Sequence, residues 1–288
     1  MDRRRLFVLL EAFFVTFLWS SSYVLVKIGL TQLSPLLLVS LRYIVASLIL
    51  LLLVFLRSEF NLIKDKRTLL KLSFLGFLGY TIAQGLQCVG LFYLPAVSVT
   101  FILNFTPIIV LVLGVLLLRE YPTIHQLAGI VMVMVGAFLF FNDPLANSNL
   151  MGVFITLLSG VGWATYLVFS RLLFIKGKVK PLELTAFSMG LGTLFMTMGA
   201  YSFEKFPVIT LSSWAIIFWL GLVNTALAFF MWNHALQKLE AFEISILQNT
   251  MLIQITILSW MFLGESLTYM KLLSMTLVFI GVLVVQLK

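Results

Sequence analysis

Little in this chain can hold a metal or a disulfide. Its 288 residues include one cysteine and two histidines. Cys88 alone cannot close an intrachain bridge or build a thiolate metal cluster. His125 and His234 lie near the ends of different apolar segments and make no ligand pair, so no metal and no cofactor is expected. Charge is equally scarce. Asp, Glu, Lys and Arg make up 10% of the residues, where soluble domains carry about 25%. Also missing are a phosphate-binding glycine loop, a zinc-protease helix motif, a nucleophile elbow and a pair of intramembrane aspartates. Direct use of ATP is thereby excluded. Serine, histidine and acid do not gather at one depth, so the chain is not expected to be an enzyme.

What remains is apolar. Hydrophobic residues make up 61% of the chain and the mean hydropathy is +1.11. No soluble core of this size could bury so much apolar surface, so most of it faces lipid or the inside of a lipid-embedded bundle. Ten runs are long enough to cross the bilayer as helices: 6–30, 35–56, 69–93, 96–118, 123–141, 150–175, 182–203, 213–236, 242–263 and 268–287. They do not alternate polar with apolar as barrel strands do. Arg3-Arg4-Arg5 before the first run resembles a signal-peptide start. The run continues to Leu30 without a small-x-small cleavage site, which predicts an uncleaved first membrane helix.

The formal net charge of +8 would suggest a nucleic-acid partner in a soluble chain. Here the cations sit in short connections. Arg3-Arg4-Arg5, the 57–71 segment, Arg119, Lys176, Lys178, Lys180, Lys238 and Lys288 all fall on one side if the runs alternate. The opposite connections (31–34, 94–95, 142–149, 204–207 and 264–267) hold only Lys205. This positive-inside pattern predicts a multi-pass protein of the inner or plasma membrane, both termini cytoplasmic, with no nucleic-acid partner.

The chain also contains its own copy. A shift of 145 positions carries Leu94 onto Leu239, Ala96 onto Ala241, Asn104 onto Asn249, Glu120 onto Glu265 and Gly136 onto Gly281. The halves are 1–141 and 150–288, joined by 142–149. Five crossings per half is an odd number, so the second half crosses in the opposite sense. The expected fold class is all-α integral membrane, with ten transmembrane helices as two inverted five-helix repeats and a solute site between them.

Trp19-Ser20-Ser21-Ser22-Tyr23, Lys27, Pro35 and Arg42-Tyr43, followed by Pro107, Glu120, Gln126, Gly129 and Gly136, resemble the EamA-type repeat of the drug/metabolite transporter superfamily. The second half repeats the pattern with Trp163-Ala164, Tyr166, Arg171, Glu265 and Gly281. The resemblance covers nearly the whole chain. It implies export of small metabolites such as amino acids, or of drugs. The family usually carries a proline where this chain has Leu252, opposite Pro107, so no proline is present to kink the ninth run.

Helical spacing and depth give the candidate substrate-binding residues. They are Trp19 and Ser22 in the first run, Tyr80 and Gln84 in the third, and Asn104 in the fourth. The sixth adds Trp163 and Tyr166, the eighth Asn224 and the ninth Asn249. Small residues and hydroxyls at the same spacing (Gly76, Ser159, Ser170) read as interhelical glue. Trp19 and Trp163 each stand about 18 Å into their helices, away from the interfacial belt where tryptophan gathers. Each is either cavity wall or plain packing, and Tyr80 and Tyr166 are read the same way.

Arg42 either contacts an anionic solute group or serves structure, by snorkelling or bonding a helix end; the arginine in the resembling family favours structure. Glu11 either reaches the cytoplasmic interface or couples a proton. Glu120 and Glu265 precede helix starts and read as hairpin caps.

The expected function is a secondary transporter of a small molecule, working in the lipid bilayer by alternating access. A channel or lipid scramblase would share the same bundle and is the alternative. The sequence does not define an oligomeric state.

Overall fold

A computed structural model describes residues 3–57, 65–94, 96–140, 149–177, 179–204, 208–263 and 267–286. Glu265 and most of the 142–149 connection lie outside the described residues. Helix is the only regular structure among those described. In chain order the rods are α1 (Arg3–Leu30), α2 (Pro35–Leu56), α3 (Lys66–Tyr93), α4 (96–118), α5 (Ile124–Phe140), α6 (Leu150–Ile175), α7 (Pro181–Phe203), α8 (Leu211–Lys238), α9 (241–263) and α10 (Tyr269–Gln286). Eight of them hold a stretch long and apolar enough to cross a membrane. Of the other two, α5 is apolar but shorter, and α7 carries a row of hydroxyls. Thr185, Ser188 and Thr193 each bond the carbonyl four residues earlier, which satisfies them inside the helix.

Polar side chains set several helix starts. Pro35 opens α2, where its missing N–H costs nothing. The next two amides, of Leu36 and Leu37, donate to the Glu204 carboxylate at the end of α7, as does the Ser34 hydroxyl. Asn149 accepts from the Met151 and Gly152 amides to start α6.

Three rods contain wide π-type turns, and two of these segments begin 145 positions apart: Phe77–Gly85 in α3 and Leu222–Leu227 in α8. Two other rods are interrupted, also 145 positions apart. The first part of α4 ends at Leu103, before Asn104, and that of α9 ends at Gln248, before Asn249. Pro107 accounts for the break in α4, because it cannot donate to the Leu103 carbonyl. In α9 the Leu252 amide turns instead to the Asn249 carbonyl, 3.2 Å away, so a break forms without proline.

The halves meet through reciprocal contacts. A Cβ on Gly129 of α5 would stand 2.7 Å from the carbonyl oxygen of Gly281 in α10. A Cβ on Gly136 would stand 3.0 Å from that of Ser274. Ser274 and Gly281 are the 145-shifted counterparts of Gly129 and Gly136, so each position faces the other's equivalent, and the two helices run antiparallel. Small residues at such crossings let backbones touch. Gly76 of α3 likewise packs on the Ser188 and Gly192 backbone of α7, while its counterpart Gly221 in α8 packs on Arg42 and Val45 of α2.

Candidate functional site

A cavity open on one side lies among α1, α2, α3, α4, α6 and α9. Its lining shows where along the bundle it lies. From α1 come Trp19, Ser22 and Val26; from α2, Val39, Arg42 and Tyr43; from α3, Gln84, Gln87 and Leu91. In each rod these residues lie in the half nearer the Ser34 and Glu204 end. Asn104, Trp163, Gln248 and Asn249 form the floor near the middle.

The break in α4 builds that floor. The Ile108 amide bonds Phe105 at 3.1 Å, leaving the Asn104 carbonyl without its usual helical partner. The Asn249 side-chain amide takes that carbonyl at 3.1 Å. Beside it the Trp163 indole N–H donates to Gln248 Oε1 at 2.7 Å. Trp163 stacks on Tyr166 (5.3 Å, 14°) and meets Trp19 edge-on (6.0 Å, 77°). Trp19 also packs on Trp232 and Phe229, both fully buried, and Phe229 meets Trp163 edge-on as well.

The wide turn in α8 positions Arg42. Thr225 donates to the carbonyl five residues back, Leu220, at 2.8 Å and accepts from Arg42 Nε at 2.9 Å. The guanidinium carbon also sits 5.2 Å from the centre of the Tyr43 ring.

Six of the nine candidate substrate-binding residues are thus brought together: Trp19, Ser22, Gln84, Asn104, Trp163 and Asn249. Arg42 joins them. The other three stand behind the wall, all fully buried. The Tyr80 and Tyr166 hydroxyls bond each other at 2.9 Å, and Tyr166 also accepts from Asn233. Asn224 ties α8 to the Leu18 carbonyl of α1 at 2.5 Å. Among the expected glue residues, Ser159 bonds the Ala83 carbonyl of α3 at 2.7 Å.

The opposite end of the bundle is closed by polar contacts between residues far apart in the chain. Arg5 meets the fully buried Glu243 at 2.8 Å, joining α1 to α9. Gln126 of α5 also donates to Glu243, at 3.3 Å. Glu11 meets His234 of α8 at 2.8 Å. Glu120 accepts from Arg171 Nε and from the Ala241 amide, both at 2.9 Å. It therefore accepts from the first amide of α9 in the other half, where the sequence predicts a cap on α5 next in the chain. Arg119 turns the chain toward it through a left-handed backbone, φ 59°. Glu265 is outside the described residues, and its role as a cap is not described.

A helical membrane bundle built from two related halves, with a polar and aromatic cavity where they meet, is the architecture of a membrane transporter. The EamA-like transporter family matches this chain twice, over residues 6–142 and 150–287, and the chain belongs to that family. The uncharacterized transporter YoaV of Bacillus subtilis is 24% identical over 96% of this chain and 95% of its own. A protein of Salmonella typhimurium named as a probable amino-acid metabolite efflux pump is 26% identical over 94% of this chain and 91% of its own. The S-adenosylmethionine/S-adenosylhomocysteine transporter of Chlamydia muridarum is 28% identical over 52% of this chain and 51% of its own. One crystal structure shares the fold with a TM-score of 0.81 at 16% identity, covering 96% of this chain and 95% of that one. The protein is a multi-pass membrane transporter with two EamA repeats.

Proposed function

We propose that this transporter is a secondary carrier whose ten helices cross the cell membrane as two inverted repeats, exporting a small metabolite such as an amino acid by alternating access. Both termini are cytoplasmic in this reading, because the cation-rich connections lie at the Arg5 end. The observation that carries it is the one-sidedness of the cavity. Gln84, Gln87 and Leu91 line it, whereas their counterparts 145 positions on, Phe229, Trp232 and Leu236, are packed and fully buried. Exchanging the conformations of the two halves would open the second site and close the first. The reciprocal α5–α10 contacts support a two-fold relation, since such a relation makes i meet j wherever j meets i.

Trp19, Ser22, Gln84, Asn104, Trp163 and Asn249 hold the solute, while Tyr80, Tyr166 and Asn224 brace the wall from behind. The Glu11–His234 pair joins the two halves at the closed end and is the candidate for proton coupling. The name of the Salmonella relative supports amino-acid export. The test is counterflow: proteoliposomes loaded with an unlabelled amino-acid mixture are diluted into each labelled amino acid in turn. Saturable uptake, stimulated by internal solute, is expected for a carrier. Linear flux without such stimulation would mean a channel or scramblase.

A further inference from the structure

We infer that the solute carries a carboxylate and that Arg42 binds it. The inference rests on the cavity being the transport site.

Arg42 is only 7% exposed. It stays charged at any pH a protein survives, and a buried charge without compensation is expensive. Its protein partners are weak. Nε bonds the neutral Thr225 hydroxyl, and the Tyr43 ring lies alongside. The two Nη groups have no acceptor, and no carboxylate pairs with the guanidinium, among the described residues. Glu204, the acid described at that end of the bundle, is committed to Ser34 and to the Leu36 and Leu37 amides. Among the described residues Arg42 is also the one charged residue lining the cavity, whose other polar groups are amides, hydroxyls, a thiol and indoles.

That arrangement selects the solute's charge. A guanidinium with both Nη groups free offers two parallel donors, the geometry that a carboxylate fills. A single cation among neutral amides balances one negative charge, which suits a carboxylate better than a phosphate monoester dianion. Cationic solutes meet like charge and find no acid in the lining among the described residues. The apolar body of the solute would lie on Trp19 and Trp163, which make the floor aromatic. Nε keeps the group oriented through Thr225, so the free donors need little ordering when the solute arrives.

The test uses the purified full-length chain in detergent, with tryptophan fluorescence or thermal shift as the readout. The probes are matched sets on one skeleton: 3-phenylpropionate with 3-phenylpropionamide and 3-phenylpropylamine, hexanoate with hexanamide, and phenylalanine with its amide. In at least one set the carboxylate should bind roughly 10- to 100-fold more tightly than the amide, and the amine should not bind. Affinity for that carboxylate should fall once pH drops below the probe's own pKa. Arg42→Gln should erase the preference. The comparisons within the unmutated protein decide the matter if the variant does not fold. Amides binding as well as carboxylates in every set, or a preference that survives Arg42→Gln, would overturn the inference. Carboxylate preference without trans-stimulated flux would leave the anion site standing and remove the transporter mechanism. Trans-stimulated flux confined to solutes lacking a carboxylate would do the reverse.

Discussion

The side-chain amide of Asn249 donates to the backbone carbonyl of Asn104, 3.1 Å away and 145 residues earlier in the chain. The two asparagines are the same residue in the two copies of the repeat. This bond ties the two copies together at the cavity floor. Replacing Asn249 with Ala leaves a buried carbonyl without a partner, a loss of about 1 kcal/mol. Uptake kinetics should show a several-fold fall in kcat/KM, with the expressed amount of folded protein nearly unchanged. Unaltered kinetics would remove Asn249 from the site.

Trp163 is both wall and packing. It lines the cavity, stacks on Tyr166 and donates to Gln248. Trp163→Ala should therefore damage stability as well as transport, by about 3–5 kcal/mol for a large buried aromatic. Trp163→Phe separates the two effects. It keeps most of the ring contact and loses only the N–H, so thermal unfolding should change little while solute affinity falls.

Arg171 reaches across three elements, to Glu120 and to the carbonyls of Leu236 and Gln237. Arg171→Ala strands Glu120, a mostly buried carboxylate that would keep only the Ala241 amide. We expect a loss of about 2–3 kcal/mol, discounted for partial exposure. The check is thermal unfolding in detergent, where Arg171→Lys should recover part of the loss.

Gly281→Leu should disrupt the α5–α10 seam more than any loss at the cavity. Its Cβ would stand 2.8 Å from the Gly129 carbonyl oxygen, backbone that cannot move aside cheaply. Loss of folded protein on size-exclusion chromatography is the expected result. A wild-type elution profile and melting temperature would show the seam to be looser than these distances imply.

The repeat, the apolar runs and the cavity floor could be read from residue spacing, because duplication and helical periodicity are both written locally. Trp19, Asn104, Trp163 and Asn249 stood out as polar or aromatic groups at depths where lipid would not accept them. Tyr80, Tyr166 and Asn224 stood out for the same reason and yet lie behind the wall. Periodicity gives a helix face but not which of two inward neighbours that face meets. Gln248 and Tyr43 were missed because each sits one position away from a residue already chosen. The Arg5–Glu243 and Glu11–His234 pairs join residues more than two hundred positions apart, and no local pattern marks such a pairing. Glu120 reads as a cap on the next helix in the chain, but the amide it bonds, that of Ala241, is set by how the halves dock.

The most direct measurement compares Leu91 with its counterpart Leu236. Each is replaced in turn by cysteine in a Cys88→Ser background and reacted with a membrane-impermeant maleimide. In the resting protein Leu91→Cys should react from outside, and Leu236→Cys, packed at the closed end, should not react from the cytoplasmic side. Adding Arg5→Ala with Glu11→Gln, which unties α1 from α9 and α8, should exchange the two reactivities. Alternating access between related halves would be contradicted if both positions react together, or if untying the closed end changes neither.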